Sequence, residues 1–240
     1  MTLFLTSDLH LGRENIIRYC DRPYESASQM NDDLVDRWNE VVESDDDVIV
    51  VGDLAMGRLD ESLRYVSRLA GNKMLMPGNH DRMFKIEGAQ YTRACDRYLT
   101  AGFDEILDGE VELALPDGTI VLVCHFPYLR DDEPSDGREG RFPEMRPADA
   151  GQFLIHGHQH GMWRRAGRMI DVGVDAWAGY PVSAEVVLRR SRRRTQTCRP
   201  CHGALVLRPR RWSSSQPERT RGRRARTTRT RRLPPLDPGD

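Results

Sequence analysis

Asp47 to Asp53 reads DVIVVGD, four consecutive β-branched residues that close on a glycine and a carboxylate. A short continuous apolar run bounded by a turn residue is the pattern of a buried strand. Working outward, Thr2 to Thr6 (TLFLT) has the same character and delivers Asp8 and His10 to the loop beyond it. Lys73 to Met76 repeats it and ends at Pro77, Gly78 and Asn79. Between these strands the period changes. Ser26 to Val42 is a predicted helix, because Ser26 and Gln29 have capping-box spacing and Leu34, Trp38, Val41 and Val42 share one face. Leu59 to Leu69 is predicted as a second amphipathic helix. Strand, helix, strand, helix, strand, with polar residues at each strand exit, is how α/β proteins build sites.

The pattern shifts after Arg82. Glu110 to Leu115 and Thr119 to Cys124 flank Pro116, Asp117 and Gly118, a hairpin signal whose second strand exits at His125. Tyr128 to Pro147 is polar and reads as a long surface loop flanking a site. Gln152 to His156, Arg168 to Val172 and Val182 to Leu188 are predicted strands, so the second half is expected to be mostly antiparallel. From Arg189 there is no apolar period. Residues 189 to 240 hold 17 arginines against Glu218, Asp237 and Asp240, whereas residues 1 to 188 hold 19 bases against 34 acids. The expected organisation is a domain over 1–188 and an arginine-rich tail over 189–240. The tail is either disordered, since it cannot bury enough apolar surface to offset chain entropy, or an out-of-frame reading of a GC-rich gene.

Bulk properties exclude several classes. No apolar run approaches the roughly 20 residues of a membrane span, and MTLFLTSDLH lacks the basic start and apolar core of a signal peptide, so a cytoplasmic location is expected. Cys20, Cys95 and Cys124 are scattered, which is not a disulfide framework. Cys198, Cys201 and His202 fit a haem-attachment string or half a zinc site but have no second ligand pair. The acidic body, with only Lys73 and Lys85 as lysines, is no footprint for nucleic acid; nonspecific contact is left to the tail.

Six of the seven histidines lie at or beside strand exits, and only His202 does not. In order, the exits carry Asp8-Leu9-His10, Gly52-Asp53, Gly78-Asn79-His80-Asp81, His125 and Gly157-His158-Gln159-His160. This series resembles the calcineurin-like metallophosphoesterase superfamily over Asp8 to His160. The resemblance implies an α/β fold, a four-layer αββα sandwich of two mixed sheets flanked by helices. It also implies that Asp8, His10 and His160 hold one metal, Asn79, His125 and His158 a second, and that Asp53 bridges them. The chemistry asks for such residues in any case, since two cations about 3.5 to 4 Å apart clamp the attacking and leaving oxygens of a phosphate ester. Mixed imidazole, carboxylate and amide ligands suit two divalent transition ions, Mn, Fe, Zn, Ni or Co.

By the same resemblance, His80 faces substrate and Asp81 holds its ring in the charged form, while a metal-bridging hydroxide attacks a phosphate mono- or diester. Arg13 and Arg82 flank metal motifs and are candidates to contact the phosphate of a small phosphoester or nucleotide. Asp53 is followed by Leu-Ala-Met-Gly-Arg, unlike the run of the serine/threonine protein phosphatases. NIIRYCDRPY and DVGVDAWAGYPVS are similar to a compact bacterial and phage subgroup, many of whose members carry histidine at the position of Arg13. Trp177 and Tyr180 are either core plugs or a base-stacking wall, and His156 either supports the ligands from behind or is structural. The alternatives are a non-enzymatic metal-binding interaction module, or a nuclease if the basic tail is functional.

Overall fold

The four β-branched residues Val48 to Val51 are all buried, and the strand they build, β2 (Asp47–Val51), is the middle of a five-stranded sheet. In the computed structural model, residues 1–129, 142–161 and 163–192 are described, and all of them lie within one unit, Met1–Leu205. β2 pairs in parallel with β1 (Leu3–Thr6) and with β3 (Asn72–Met76), and β3 pairs in parallel with β4 (Glu105–Ile106). Successive side chains of a strand point to opposite faces, and here they enter two cores. Val48, Val50 and Leu75 pack with Met30, Leu34, Trp38 and Tyr98 from the helices, whereas Leu5, Ile49, Val51 and Met76 meet the second sheet.

The helical layer follows from caps and spacing. α1 is Glu14–Tyr19 and α2 is Ala27–Val41. Ser26 Oγ caps α2 by accepting from the Gln29 amide at 3.2 Å, and Gln29 Oε1 reaches back to the Glu25 amide at 2.8 Å, one residue before the cap. The helix predicted over Leu59 to Leu69 is split into α3 (Leu59–Leu63) and a 3₁₀ turn at Val66–Arg68. α4 (Gly88–Ala101) ends at Gly102, whose φ of 118° is open to glycine.

The second sheet runs β5 (Val111–Ala114), β6 (Ile120–Val123), β7 (Leu154–His156) and β8 (Met169–Asp171). The β5–β6 hairpin forms as predicted, but β6–β7 and β7–β8 pair in parallel, against the antiparallel expectation. The long connection from β6 to β7 leaves room for the crossover that parallel pairing needs. Its inner face, Val121, Val123, Ile155 and Ile170, closes the inter-sheet core. On the outer face Leu122, Leu154 and Met169 meet loop aromatics, Phe84, Phe126, Phe142 and Trp163. Two mixed sheets flanked by helices make the sandwich that was expected.

Val182 to Leu188 is not one strand. β9 (Val182–Ser183) adds to the first sheet antiparallel to β1, and α5 (Ala184–Arg192) begins at once. Its buried residues Ala184, Val187 and Leu188 have the 3–4 spacing of a helix face, which the apolar run Val186-Val187-Leu188 disguises. The helix therefore crosses the boundary expected at 188/189. The rest of the predicted tail, and the middle of the Tyr128 to Pro147 loop, lie outside the described residues. Among the described residues, no helix is long and apolar enough to cross a membrane.

Candidate metal centre

Five strands end where the candidate ligands begin: β1 leads to Asp8 and His10, β2 to Asp53, β3 to Asn79 and His80, β6 to His125, and β7 to His158 and His160. The first two exits are zipped together, Asp8 N to Gly52 O at 3.0 Å and His10 N to Asp53 O at 3.0 Å. Among the described residues nine non-glycine residues have positive φ, and five of them are candidate ligands: Asp8 (60°), His10 (52°), Asp53 (55°), His158 (73°) and His160 (51°). Such backbone is uncommon outside glycine and persists where surrounding structure enforces it, as at a functional site. Glycine supplies clearance as well. A Cβ on Gly157 would sit 1.9 Å from Ser7 Oγ, and one on Gly78 would sit 2.3 Å from Asp53 Oδ1.

The side chains converge acceptor on acceptor. His10 Nε2 lies 3.2 Å from His160 Nε2, with Asp8 Oδ1 at 3.9 Å and 3.7 Å from them. Asp8 Oδ2 is committed to Ser7 Oγ (2.7 Å) and the His158 amide (2.9 Å), while buried Asp8 Oδ1 has no hydrogen-bond partner. Asp53 spans the cluster, Oδ2 at 3.6 Å from His10 Nε2 and Oδ1 at 3.6 Å from His125 Nε2. His125 donates from Nδ1 to Val51 O at 2.8 Å, which leaves the Nε2 lone pair facing Asn79 Oδ1 at 3.2 Å. His158 stacks edge-on against His125 at 5.2 Å between ring centres. Among the described residues three trios sit within metal-binding reach, Asp8, His10, His160, then Asp8, Asp53, His125, and at the rim Cys20, His160, Asp175. Lone pairs crowded in this way repel unless a cation sits among them, so the donor set fits divalent metal.

The electrostatics agree. Burial and the neighbouring Asp8 push Asp53 up to about 8. Burial opposes charge on His160, yet the Asp8 carboxylate and the Asp175 hydrogen bond push it up to about 11. Both shifts mark a place where positive charge is favoured.

The family model described as calcineurin-like phosphoesterase matches residues 1–162. The chain belongs to the calcineurin-like phosphoesterase family. Its relatives include the Gene 66 proteins of Mycobacterium phages D29 and L5. The first is 33% identical over 190 residues, 73% of this chain and 88% of its own. The second is 31% identical over 189 residues, 72% and 86%. These phage relatives agree with the compact bacterial and phage subgroup read from the sequence. The crystal structure of AQ665 of Aquifex aeolicus, a protein of unknown function, matches with a TM-score of 0.57 at 23% identity, covering 79% of this chain and 98% of that one. That likeness supports the fold.

Around the phosphoesterase centre lies a layer that the motifs do not contain. Asp175 Oδ2 accepts from His160 Nδ1 at 3.0 Å, which turns Nε2 toward the cluster. Arg22 grips Asp175 with Nε and an Nη at 2.8 Å and 2.9 Å and donates to the carbonyls of Asp8 (2.8 Å) and Leu9 (3.0 Å). Cys20 lies close enough to join His160 and Asp175. Arg22 and Asp175 sit within the two stretches that carried the subgroup resemblance, and that was the available signal.

Three expectations about the phosphoesterase's other residues need correction, those for Asp81, His80 and Arg82, and one alternative is decided. Asp81 does not hold the His80 ring. Its Oδ2 accepts from the amides of Asp53 (2.8 Å) and Gly78 (2.9 Å), and its Oδ1 from Leu54 N (3.2 Å) and Tyr98 OH (3.3 Å). It therefore staples the β2 and β3 exits. Nor is the charged form of His80 favoured: burial, then Arg13 and His125, bring it down to about 4. Arg13 lines the cleft of about 420 Å³ over the centre, together with Tyr19 and Phe142, but Arg82 faces a different groove. Trp177 donates to Asp171 O at 2.6 Å and Tyr180 OH to Glu40 at 2.8 Å, with arginines over both rings, so neither is a free stacking wall. His156, fully buried and bonded to Gly157 O, is structural, and Cys124 is buried with its thiol pushed up to about 11.

Proposed function

We propose that this phosphoesterase hydrolyses a phosphate mono- or diester with two divalent transition ions, Mn, Fe, Zn, Ni or Co. The observation that carries the reading is the convergence of Asp8, His10, Asp53, Asn79, His125 and His160 as acceptors facing acceptors beside an open cleft. Asp8, His10 and His160 would hold one ion, Asn79, His125 and His158 the other, with an Asp53 oxygen turned to each. Bound there, the ions supply Lewis-acid polarisation of the phosphoryl oxygens and a supply of hydroxide near neutral pH.

The chain's own residues do the rest. His80 stands at the mouth, 34% exposed, with Nε2 at 4.0 Å from Asp53 Oδ2. Neutral, it donates one N–H to a phosphoryl or leaving oxygen, stabilising the charge that develops there. Arg13 pairs its guanidinium with a non-bridging oxygen and orients the ester. The cleft volume suits a small phosphoester or a nucleotide. The free Cys20, Cys95 and Cys124 support a cytoplasmic setting.

The test is release of p-nitrophenol from bis-p-nitrophenyl phosphate and p-nitrophenyl phosphate by protein stripped of metal and then given each of the five ions. Turnover that returns with metal, at about two equivalents bound, is expected. Binding without turnover under all five would make the chain a metal-binding interaction module.

A further inference from the structure

Arg82 leaves the metal cleft but not the neighbourhood. It follows directly on the turn that carries Asn79 and His80, and its amide bonds the Tyr98 hydroxyl of α4 at 3.3 Å. The groove it faces, about 460 Å³, is walled by Arg93 and Arg97, one turn apart on α4, with Gln90, Ile86 and Ala94 completing the lining. Among the described residues no carboxylate lines it. Arg82 and Arg93 have no ion pair among the described residues, and Arg97 reaches only Asp60, at 2.6 Å, on a side chain that is 85% exposed. Like charges four apart on a helix repel, and Asp60 answers Arg97 alone, so no ion pair among the described residues accounts for Arg82 and Arg93, in a body with 34 acids to 19 bases.

The geometry points to a second anion site, one that binds a phosphate of the substrate beyond the ester being cleaved. It rests on the phosphoesterase reading and deepens it, since it makes the substrate a single-stranded nucleic acid whose strand runs from the metal cleft across Arg82 to α4. Guanidiniums pair bidentately with phosphate oxygens and tolerate any sequence. Half-buried Ile86 offers an apolar edge to sugar or base, and exposed Gln90 a donor and an acceptor. The acidic balance of the body conceals this local inversion of sign.

The test uses the full chain and its double variant Arg82→Glu/Arg93→Glu, reading inhibition of bis-p-nitrophenyl phosphate hydrolysis by octathymidylate and by thymidine monophosphate. Because the signal is occupancy of the cleft, arginines elsewhere act equally in both proteins. Octathymidylate should inhibit the variant about tenfold or more weakly than the parent, with a shallower salt dependence. Thymidine monophosphate inhibition and the unchallenged kcat/KM should stay within about twofold. Equal octathymidylate inhibition of the two proteins, equal losses against the monophosphate, or no octathymidylate inhibition of the parent would overturn the inference while leaving the phosphoesterase reading intact. Absence of any diester turnover would instead sink that reading, and this inference with it.

Discussion

At the scale of single residues, the proposed chemistry separates groups that would hold metal from groups that would meet substrate. His80 belongs to the second kind, since its ring is partly exposed and reaches Asp53 only at 4.0 Å. Exchange of His80 for Ala should leave metal content unchanged and lower kcat by about 10² to 10⁴. Unchanged kcat on an activated diester would remove it from the reaction. Asp53 is the opposite case, because both of its oxygens face imidazole nitrogens. Asp53→Asn should lose metal, read by elemental analysis of the purified protein, and activity should fall with it. Arg22 and Asp175 act through His160. Asp175→Asn should weaken metal affinity about 10- to 100-fold, seen in competition with a chelator, and Asp175→Ala should do no better.

At the scale of elements, Asp81 ties the exits of β2 and β3 through three amides and a tyrosine hydroxyl. Asp81→Ala would leave those buried donors unpaired, at about 1 to 3 kcal/mol for an orphaned group, measurable as a lower urea midpoint with an unchanged slope. A catalytic role for Asp81 would instead slow turnover without moving the midpoint. The same residue shows how far a sequence can be read. The strands DVIVV and KMLM and the cap at Ser26 were legible because local chemistry dictates them, and the ligand motifs were legible because they stand at strand exits. α4 was not, because only Ala94 and Tyr98 of its residues are buried, too few to print a period. Where Asp81 pointed was not legible either, since its partners at 53 and 54 are distant in the chain. The left-handed backbone at five candidate ligands is likewise a property of tertiary packing, invisible in residue type.

At the scale of the whole molecule, the crowded carboxylates and imidazoles of the centre hold protons where metal would otherwise sit. Between about pH 6.5 and 8 the metal-free folded state keeps protons that the unfolded chain has released, on Asp53, pushed up to about 8, and on His160, pushed up to about 11. Both are raised, so each stabilises below its unfolded value and its contribution fades as pH rises. The buried histidines held low, such as His158 at about 3, act in the opposite sense, but the unfolded chain has already shed about half of those protons at the lower edge of the window and nearly all of them at its upper edge, so the raised groups set the sign. Stripped protein should therefore melt at progressively lower temperature from pH 6.5 to 8. Saturating metal should raise Tm throughout and flatten the slope. A slope of the opposite sign in the stripped protein would contradict the carboxylate environment described here.

β9 pairs with β1 through Phe4 with Ser183 and Leu5 with Val182, so β1 is completed by a strand made long after it. At about 5 to 20 residues per second, the open edge of β1 waits roughly ten to thirty seconds for its neighbour. An unpaired edge is a template for other chains during that interval. A chaperone that covers Leu3 to Thr6 would shield that edge until Val182 and Ser183 arrive. A chain stopped after Pro181 should sediment with the insoluble fraction, while one stopped after Arg192 should stay in the supernatant.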